Sequence, residues 1–300
     1  MRPEWKGVYP AVTTKFTATG EIDDEGFIRG IKAQLEAGVN GIIVAGSLGE
    51  SSTLSREERM HLLQLAKEAA PGVPVLMNIA EGSTDSALKL ASQAREYGGD
   101  GLMILPPLLY RPTEHETMEY FSSIARHTDL PIMIYNNPVD YKVEVTLPML
   151  EVLLQHDTIQ AIKESTRDIS NVTRMRTAFG DRLKILCGVD TLAMEELLMG
   201  ADGWVAGLVN AFPAETVAIY RLVKAGRSEE AWMIYSWFLP LLELDINPQL
   251  VQNIKLAEVM TGLGTEHVRL PRKPLSGSDR MRVERIIQHG LDTRPGLPEL

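Results

Sequence analysis

Residues 160–188 read QAIKESTRDISNVTRMRTAFGDRLKILCG, and this stretch decides how the rest of the chain is interpreted. It begins and ends with short apolar runs, at 160–164 and 184–188, which suit buried parallel strands. Between them, residues 169–179 have the apolar spacing of an amphipathic helix. The stretch therefore predicts one strand–helix–strand unit whose two strands run parallel.

The same unit repeats along most of the chain. Strands are predicted at 7–13, 41–46, 74–79, 101–106, 131–136, 160–164, 184–188 and 203–208. Helices are predicted at 23–37, from about 55, and at 83–97, 114–127, 147–154, 169–179, 191–199 and 213–224. Regular alternation of eight strands and eight helices predicts the α/β class and a (β/α)8 TIM barrel. An open doubly wound sheet is the alternative, but such a sheet rarely contains so many regular units.

The strands stop near residue 226, and three further helices are predicted at 228–244, 248–263 and 276–290. We therefore divide the chain into a catalytic barrel at 1–225 and a C-terminal three-helix extension at 226–300. A separate small domain is the alternative reading of the last segment. No long polar linker sets that segment apart, which favours an extension packed on the barrel.

Composition narrows the function. The 300 residues are 44% hydrophobic and carry a formal charge of −10, which argues against a broad nucleic-acid or anionic-membrane surface. Cys187 is the single cysteine, so an intrachain disulfide is excluded and a reducing compartment fits. The first residues lack the apolar run of a signal peptide, and the six histidines are scattered. These features predict a cytoplasmic protein with no metal site.

Lys163 is the first candidate for chemistry. Strand alternation places it on the same face as Ile159 and Ala161, so its amine is expected to be partly desolvated. Desolvation disfavours the ammonium form and lowers the pKa, which supplies the free amine that attacks a carbonyl carbon. The alternatives are a lysine that reaches solvent from the strand end, or one that forms an ion pair with Glu164.

Two other segments follow predicted strands. Tyr135 lies at the end of the fifth strand, where a phenol can transfer protons; a buried core tyrosine is the alternative. The glycine-rich loop 46–52 follows the second strand, and Ser47 and the loop amides can donate to a carboxylate. That loop is also compatible with an ordinary strand–loop–helix turn.

Taken together, the segments resemble a known family. They are Gly-Ser-Leu-Gly-Glu at 46–50, Tyr-Asn-Asn-Pro at 135–138, Lys-Glu-Ser at 163–165, Gly-Val-Asp at 188–190, the stretch 203–207 and Leu-Pro at 270–271. In order and spacing they resemble the dihydrodipicolinate synthase/N-acetylneuraminate lyase family of class I aldolases, over nearly the whole chain. The resemblance implies that Lys163 forms the Schiff base, that Tyr135 relays protons, and that the Ser47 hydroxyl contacts both the relay and the carboxylate.

The resemblance also implies a barrel with a helical extension, a homotetramer, a small 2-oxo acid substrate, and no metal or organic cofactor. Synthases of the family carry a tyrosine at the place of Leu109, which enters a neighbouring subunit's relay. We expect Tyr110, one position later, to be the catalytic substitute. The predicted substrate-binding residues are Gly46, Leu48, Asn137, Val205 and Gly207.

Departures from the family pattern suggest a particular substrate. Leu48 cannot continue a hydroxyl relay, and Asp140 stands where the synthases place an arginine for the aldehyde's carboxylate. A carboxylate cannot form that bidentate pair, and the nearby Lys142 lacks the planar fork. These departures predict that the chain is not a true dihydrodipicolinate synthase.

Similarity to relatives with such departures favours one activity, the deamination and dehydration of 1-pyrroline-4-hydroxy-2-carboxylate to 2-oxoglutarate semialdehyde. A 2-keto-3-deoxy sugar acid dehydratase and a pyruvate-dependent aldolase are alternatives, and a 2-oxo acid-sensing barrel is the non-enzymatic one. A phosphate-binding barrel is disfavoured, because the loops at 188–190 and 207–210 supply little positive charge.

Overall fold

The computed structural model describes residues 1–107 and 109–299. Eight short, buried strands form one parallel sheet, as the sequence predicts. Their bounds are β1 Gly7–Pro10, β2 Ile42–Val44, β3 Val75–Ile79, β4 Gly101–Ile104, β5 Ile132–Asn136, β6 Ile159–Glu164, β7 Lys184–Cys187 and β8 Gly203–Ala206. Most predicted strands are one to three residues too long, because the ladder ends where the loops turn away from the barrel.

The sheet closes on itself. From β2 to β8, each strand pairs with the next one along the chain, and β8 also pairs with β1. The first two strands meet through a parallel bridge between Ala11 and Ile43, and the Val12 amide donates to the Ile43 carbonyl at 3.0 Å. This closure confirms the (β/α)8 barrel, and places the carboxyl ends of all eight strands around one mouth.

Helices lie between the strands and follow β8. Their bounds are α1 Asp24–Ala37, α2 Arg56–Ala69, α3 Thr84–Glu96, α4 Glu114–His127, α5 Pro138–Tyr141, α6 Leu147–Leu153, α7 Ser170–Phe179, α8 Ala193–Leu198, α9 Pro213–Lys224, α10 Ser228–Leu242, α11 Leu250–Met260 and α12 Gly277–Asp292. Capping boxes start α2 at Ser55 and α4 at Thr113. The short helix α5 was not predicted, because four residues are too few to show a helical period.

The three C-terminal helices pack against the barrel. Phe238, Leu256 and Val283 belong to the same hydrophobic cluster as the barrel strands. The C-terminal extension is therefore confirmed as an architecture, while the boundary between 225 and 226 stays a prediction. In the described residues, no helix is both long and apolar enough to cross a bilayer.

Buried ion pairs tie α11 to the loop after β2. Lys255 on α11 donates to the Glu50 carboxylate at 2.6 Å, and the Arg269 amide donates to the same carboxylate at 3.1 Å. A second pair joins Lys15 to Glu258. Glu50 itself has a left-handed backbone with a φ of 58°, which the buried pairing holds in place. The extension thereby positions the glycine-rich loop at the barrel mouth.

Candidate active site

A pocket with a cavity volume of about 110 Å³ occupies the barrel mouth. The residues that line the pocket come from the strand ends, the loops that follow them and the segment after α10: Ala11, Gly46, Ser47, Leu48, Met103, Tyr135, Asn137, Asp140, Tyr141, Lys163, Ser165, Arg167, Gly188, Val189, Val205, Ala206, Gly207, Asp245, Ile246 and Leu250. Every predicted site residue except Tyr110 is among them.

Lys163 reaches into this pocket from β6. It is directly opposite Tyr135 in the β5–β6 ladder, and its Nζ lies 4.0 Å from the centre of the Tyr135 ring. The side chain is only 7% exposed, and no described residue forms an ion pair with it. The position of Nζ inside the pocket disagrees with the alternative of a lysine that reaches bulk solvent.

Glu164 does not pair with Lys163. Its carboxylate accepts hydrogen bonds from the Thr166 amide at 2.8 Å, from Asn171 Nδ2 at 3.1 Å and from Asn136 Nδ2 at 3.5 Å. These bonds tie the end of β6 to the neighbouring loops, on the opposite face of the strand. The ion-pair alternative for the lysine is therefore excluded, and Glu164 has a structural role.

Space for the lysine stem depends on Gly188. A Cβ atom at this position would lie 2.6 Å from Lys163 Cγ and 2.2 Å from Ser165 Oγ. Such distances are well inside van der Waals contact, so any larger residue would displace the lysine. Gly188 follows directly after β7, the strand that neighbours β6, and leaves room for the Lys163 side chain.

Burial and the neighbouring acidic groups act on the pKa of the Lys163 amine in opposite directions. Burial lowers the pKa of Lys163 below its usual range, while the phenol of Tyr141 and the carboxylates of Asp245 and Asp190 act in the opposite direction. Burial also raises the pKa of Asp245 to about 8, so this carboxyl is largely protonated near neutral pH. The net effect is a pKa below the usual value for lysine, which increases the neutral fraction of the amine relative to an exposed lysine.

Tyr135 is held beside the amine. Its hydroxyl accepts a hydrogen bond from Asn137 Nδ2 at 3.2 Å, and burial raises the pKa of the phenol to about 12. The phenol therefore stays protonated at neutral pH and can donate as well as accept a proton. Asn137 also accepts from the Asp140 amide at 3.1 Å, which starts α5.

Ser47 has a partner that we did not predict. Its Oγ is hydrogen bonded to the hydroxyl of Tyr141, with 2.5 Å between the two oxygens. The Tyr141 ring packs edge to face on Tyr135, with 5.6 Å between the ring centres. The short helix α5 turns Tyr141 back into the pocket, so both tyrosines serve one cavity.

The loop after β2 offers free donors. In the described part of the chain, the backbone amides of Ser47 and Leu48 donate no hydrogen bond, although the carbonyls of Gly46 and Ser47 accept bonds from later loop amides. Neighbouring amides of this kind suit a carboxylate. The placement agrees with the predicted binding role of Gly46 and Leu48, which stays a prediction.

The loop after β8 is organised by Asp190. Its carboxylate accepts from Trp204 Nε1 at 2.9 Å, from the Gly207 amide at 3.1 Å and from the Leu208 amide at 2.8 Å. These amides are the donors that a phosphate would need, so the phosphate-binding alternative has no site here. Asp245 packs on Gly207, where a Cβ would meet its carboxylate at 2.6 Å.

Two residues from the predicted substrate side lie away from the pocket. Tyr110 is 54% exposed and lines a separate depression beside α4. Its predicted role in a neighbouring subunit's site stays a prediction, because one chain does not test it. Lys142 points its ammonium at the Val139 carbonyl and does not line the cavity.

Asp140 does line the pocket, but its carboxylate is engaged. It accepts a hydrogen bond from Asn137 Nδ2 at 2.7 Å. The positive charge at this site comes instead from Arg167, which also lines the pocket and forms no ion pair with the described residues. Its backbone φ is 64°, a left-handed conformation that is uncommon for a residue with a side chain.

Three polar or charged pocket residues were not singled out from the sequence: Tyr141, Arg167 and Asp245. Tyr141 lies six residues beyond Tyr135, and Arg167 lies four beyond Lys163, so proximity to the motifs was an available signal. Asp245 follows α10, more than 80 residues from the lysine, and no local pattern marks it.

Comparison with known proteins gives a consistent result. A sequence profile of the "Dihydrodipicolinate synthetase family" matches residues 4–290. The 4-hydroxy-tetrahydrodipicolinate synthase of Exiguobacterium sibiricum is 32% identical over 277 residues, which cover 91% of this chain and 94% of the relative. The structure of the corresponding synthase from Methylacidiphilum fumariolicum SolV superposes with a TM-score of 0.91 at 30% identity, covering 96% of each chain.

A second similar structure is the dihydrodipicolinate synthase from Acinetobacter baumannii, solved in complex with pyruvate. It superposes with a TM-score of 0.90 at 25% identity, covering 95% of this chain and 98% of the other.

These relatives contradict two predictions made from the sequence. The assignment as a pyrroline hydroxycarboxylate deaminase is wrong, and so is the exclusion of dihydrodipicolinate synthesis, because relatives that span nearly the whole chain are named as the synthase. The exclusion depended on a single loop position. In the folded chain Asp140 is bonded to Asn137, and Arg167 brings a cation to the pocket from a different loop.

Proposed function

Because this chain belongs to the dihydrodipicolinate synthetase family, it is a class I aldolase-type lyase, and we propose that it makes 4-hydroxy-tetrahydrodipicolinate from pyruvate and an amino-acid aldehyde. The observation that carries the proposal is the Lys163 amine, which is buried and unpaired in the described chain and faces a pocket with a phenol beside it. The names of the relatives supply the substrate class.

The first half of the proposed reaction takes place at C2 of pyruvate. The neutral Lys163 amine attacks C2, and the carbonyl electron pair moves to oxygen, which takes a proton from the Tyr135 side of the pocket. Loss of that oxygen as water leaves a protonated Schiff base. The free amides of Ser47 and Leu48 hold the pyruvate carboxylate meanwhile. Removal of a C3 proton then gives the enamine.

The second half forms the carbon–carbon bond. The product has seven carbons, so pyruvate contributes three and the aldehyde four, which identifies the second substrate as aspartate 4-semialdehyde. The enamine C3 attacks the aldehyde carbon, and the aldehyde oxygen takes a proton and becomes the hydroxyl group of the product. The substrate's own amine then attacks C2 and displaces Lys163. The overall balance is one water released and the lysine regenerated.

Arg167 is the residue that we assign to the carboxylate of the aldehyde. It is a permanent cation that lines the pocket, and its planar guanidinium can bind a carboxylate through two hydrogen bonds. Its left-handed backbone directs the loop after β6 toward the cavity at some conformational cost. This assignment explains how a chain with Asp140 in the loop after β5 can accept an anionic aldehyde.

The experiment that tests the proposal separates its two halves. Wild-type protein is incubated with pyruvate and borohydride, and the modified peptide is identified by mass spectrometry. We expect a reduced pyruvate adduct on Lys163 and none in Lys163→Met. Lys184→Met is the matched control, because this neighbouring lysine at the start of β7 pairs with acidic residues and should leave the adduct unchanged.

Condensation is then measured with pyruvate and aspartate 4-semialdehyde. Formation of the seven-carbon product supports the synthase assignment. An adduct on Lys163 without condensation would refute the synthase assignment. The chain would then be an enzyme that forms a Schiff base with pyruvate and has another second substrate. Modification at a different lysine would refute the proposed nucleophile.

The assignment of Arg167 has its own test. Arg167→Met should raise KM for the aldehyde by about 10-fold or more, the size of a lost charge-assisted hydrogen bond. Formation of the pyruvate adduct should not change, since pyruvate is held by the loop after β2. Equal effects on both substrates would count against the assignment.

A cytoplasmic location and a homotetramer remain predictions for this chain. Sedimentation of the purified protein tests the assembly, and fractionation of cells tests the location.

A further inference from the structure

The side chains of Ser47, Tyr141 and Tyr135 contact one another in that order beside Lys163. Ser47 Oγ and the Tyr141 hydroxyl are 2.5 Å apart, and the Tyr141 ring packs on the ring of Tyr135. Tyr135 in turn lies 4.0 Å from Lys163 Nζ, measured to the ring centre. All four side chains belong to a single chain and line the same pocket.

We propose that Tyr141 is a catalytic proton-relay residue, which completes the relay for Lys163 within the same chain. The inference is based on the proposed function, because it assumes that Lys163 forms the Schiff base. The residue lies at the barrel mouth between Ser47 and Tyr135, where the departing oxygen of the substrate must receive a proton.

The chemistry requires such a relay. When Lys163 attacks C2, the former carbonyl oxygen gains one proton, and it needs a second to leave as water; the attacking nitrogen loses one proton in the same sequence. Enamine formation removes a further proton from C3. A phenol that has delivered one of these protons must regain a proton before it delivers the next, and a neighbouring hydroxyl can supply it. Burial raises the pKa of Tyr141 to about 12, so its hydroxyl is protonated and able to donate at neutral pH.

The alternative source of the third hydroxyl is a neighbouring subunit. In the described chain, Tyr110 is 54% exposed and Leu109 is 97% exposed, and neither lines the pocket. Tyr141, in contrast, is hydrogen bonded to Ser47 within the same chain. A third hydroxyl is therefore available beside Ser47 from the chain itself.

The test uses Tyr141→Phe, which keeps the ring that packs on Tyr135 and removes only the hydroxyl. The readout is exchange of the pyruvate methyl protons for deuterium in heavy water, followed by NMR. This exchange reports proton transfer on the Schiff base and does not need the aldehyde. We expect the exchange rate to fall by about 100-fold, a usual effect of a lost acid–base group. Half-saturation by pyruvate should change by less than about 3-fold.

Two further variants distinguish a relay from packing. Ser47→Ala should also slow exchange, and the double variant with Tyr141→Phe should be little slower than the worse single variant, because both belong to one relay. Effects that multiply would overturn the relay. Tyr97→Phe, an exposed tyrosine after α3, serves as the control and should exchange at the wild-type rate.

Tyr110→Phe decides between the two sources of the hydroxyl. If this variant loses exchange while Tyr141→Phe stays within 2-fold of wild type, the relay comes from a neighbouring chain and the inference is wrong. Failure of the proposed synthase function looks different: wild type would form the adduct and exchange deuterium but would not condense with the aldehyde, and the relay would stand.

Discussion

Two buried regions of this molecule contain lysines, and they differ in what surrounds the ammonium group. The first is the paired cluster of Lys15, Lys255, Glu50 and Glu258, between α11 and the loop after β2. The second is the pocket around Lys163 at the end of β6. Burial lowers the pKa of Lys255 to about 8, and it also lowers the pKa of Lys163.

A lowered pKa is therefore common to both regions and does not identify the nucleophile. Lys255 Nζ donates to the Glu50 carboxylate and to the His267 carbonyl, each at 2.6 Å. These bonds engage the amine, so it is not free to react with a ligand. Lys163 has no ion pair in the described chain and faces an open cavity. We therefore expect reactivity here to require burial, empty space and a missing partner together.

The largest expected effect on stability comes from the paired cluster. Lys255→Met leaves Glu50 as a buried charge, which should lower the free energy of unfolding by about 3 kcal/mol. This loss of stability is at the lower end of the range for a broken buried ion pair, because the Arg269 amide and Arg272, 3.9 Å away, still face the Glu50 carboxylate. Urea denaturation measures the change.

Lys163→Met is the matched control for that comparison. It removes no ion pair, and methionine has a similar volume, so stability should stay within about 1 kcal/mol of wild type. The double variant Lys255→Met with Glu50→Gln should recover part of the loss. If both single variants lose the same stability, the distinction between the two regions fails.

An intermediate effect is expected from Gly188→Ala. The new Cβ would overlap Lys163 Cγ and Ser165 Oγ, so the amine must move by about an ångström, which should slow adduct formation with pyruvate by about 100-fold. Rapid-quench borohydride trapping gives the rate.

Gly30→Ala is the corresponding change beside the paired cluster. Its Cβ would lie 3.5 Å from Lys15, an ordinary contact, in the middle of α1. The alanine should leave adduct formation unchanged and stabilise the helix slightly. A normal rate for Gly188→Ala would show that the lysine position is adjustable.

The smallest effect concerns the unpaired carboxyl of the pocket. The pKa of Asp245 is about 8 in the folded chain and 3.8 ordinarily, so between these pH values the unfolded chain has released a proton that the folded chain keeps. This group therefore makes stability fall as pH rises through that window. Asp245→Asn should match wild type near pH 4 and should be the more stable of the two near pH 8, because asparagine does not ionise on unfolding.

Denaturation at the two pH values checks this prediction. Equal stability of Asp245→Asn and wild type at both values would mean that the carboxyl ionises normally. In contrast to the paired cluster, no described cation is within ion-pair distance of Asp245, so its ionisation brings no compensating attraction.

The barrel could be predicted because its signals are local. Each strand is a short apolar run bounded by turn residues, and each helix has its own period and caps, as Ser55 and Glu58 show for α2. Lys163, Tyr135 and Ser47 could be located for the same reason, since parallel strands bring their carboxyl ends to one mouth.

The substrate was predicted wrongly from the same chain. From the sequence, Asp140 is expected to exclude an anionic aldehyde because it replaces an arginine. The charge of the pocket, however, depends on residues from several loops. Arg167 and Asp245 contribute to that sum from different loops, and their approach depends on the left-handed backbone of Arg167 and on contact between Asp245 and Gly207.

The sequence by itself determined the order of strands and helices and the positions of Lys163 and Tyr135 at strand ends, because alternation and helical period are properties of neighbouring residues. Only the tertiary structure decided which buried lysine lacks a partner, that Tyr141 meets Ser47, and that a residue after α10 enters the pocket. Those contacts join residues far apart in the chain, and their distances follow from how the barrel closes and how the extension packs on it.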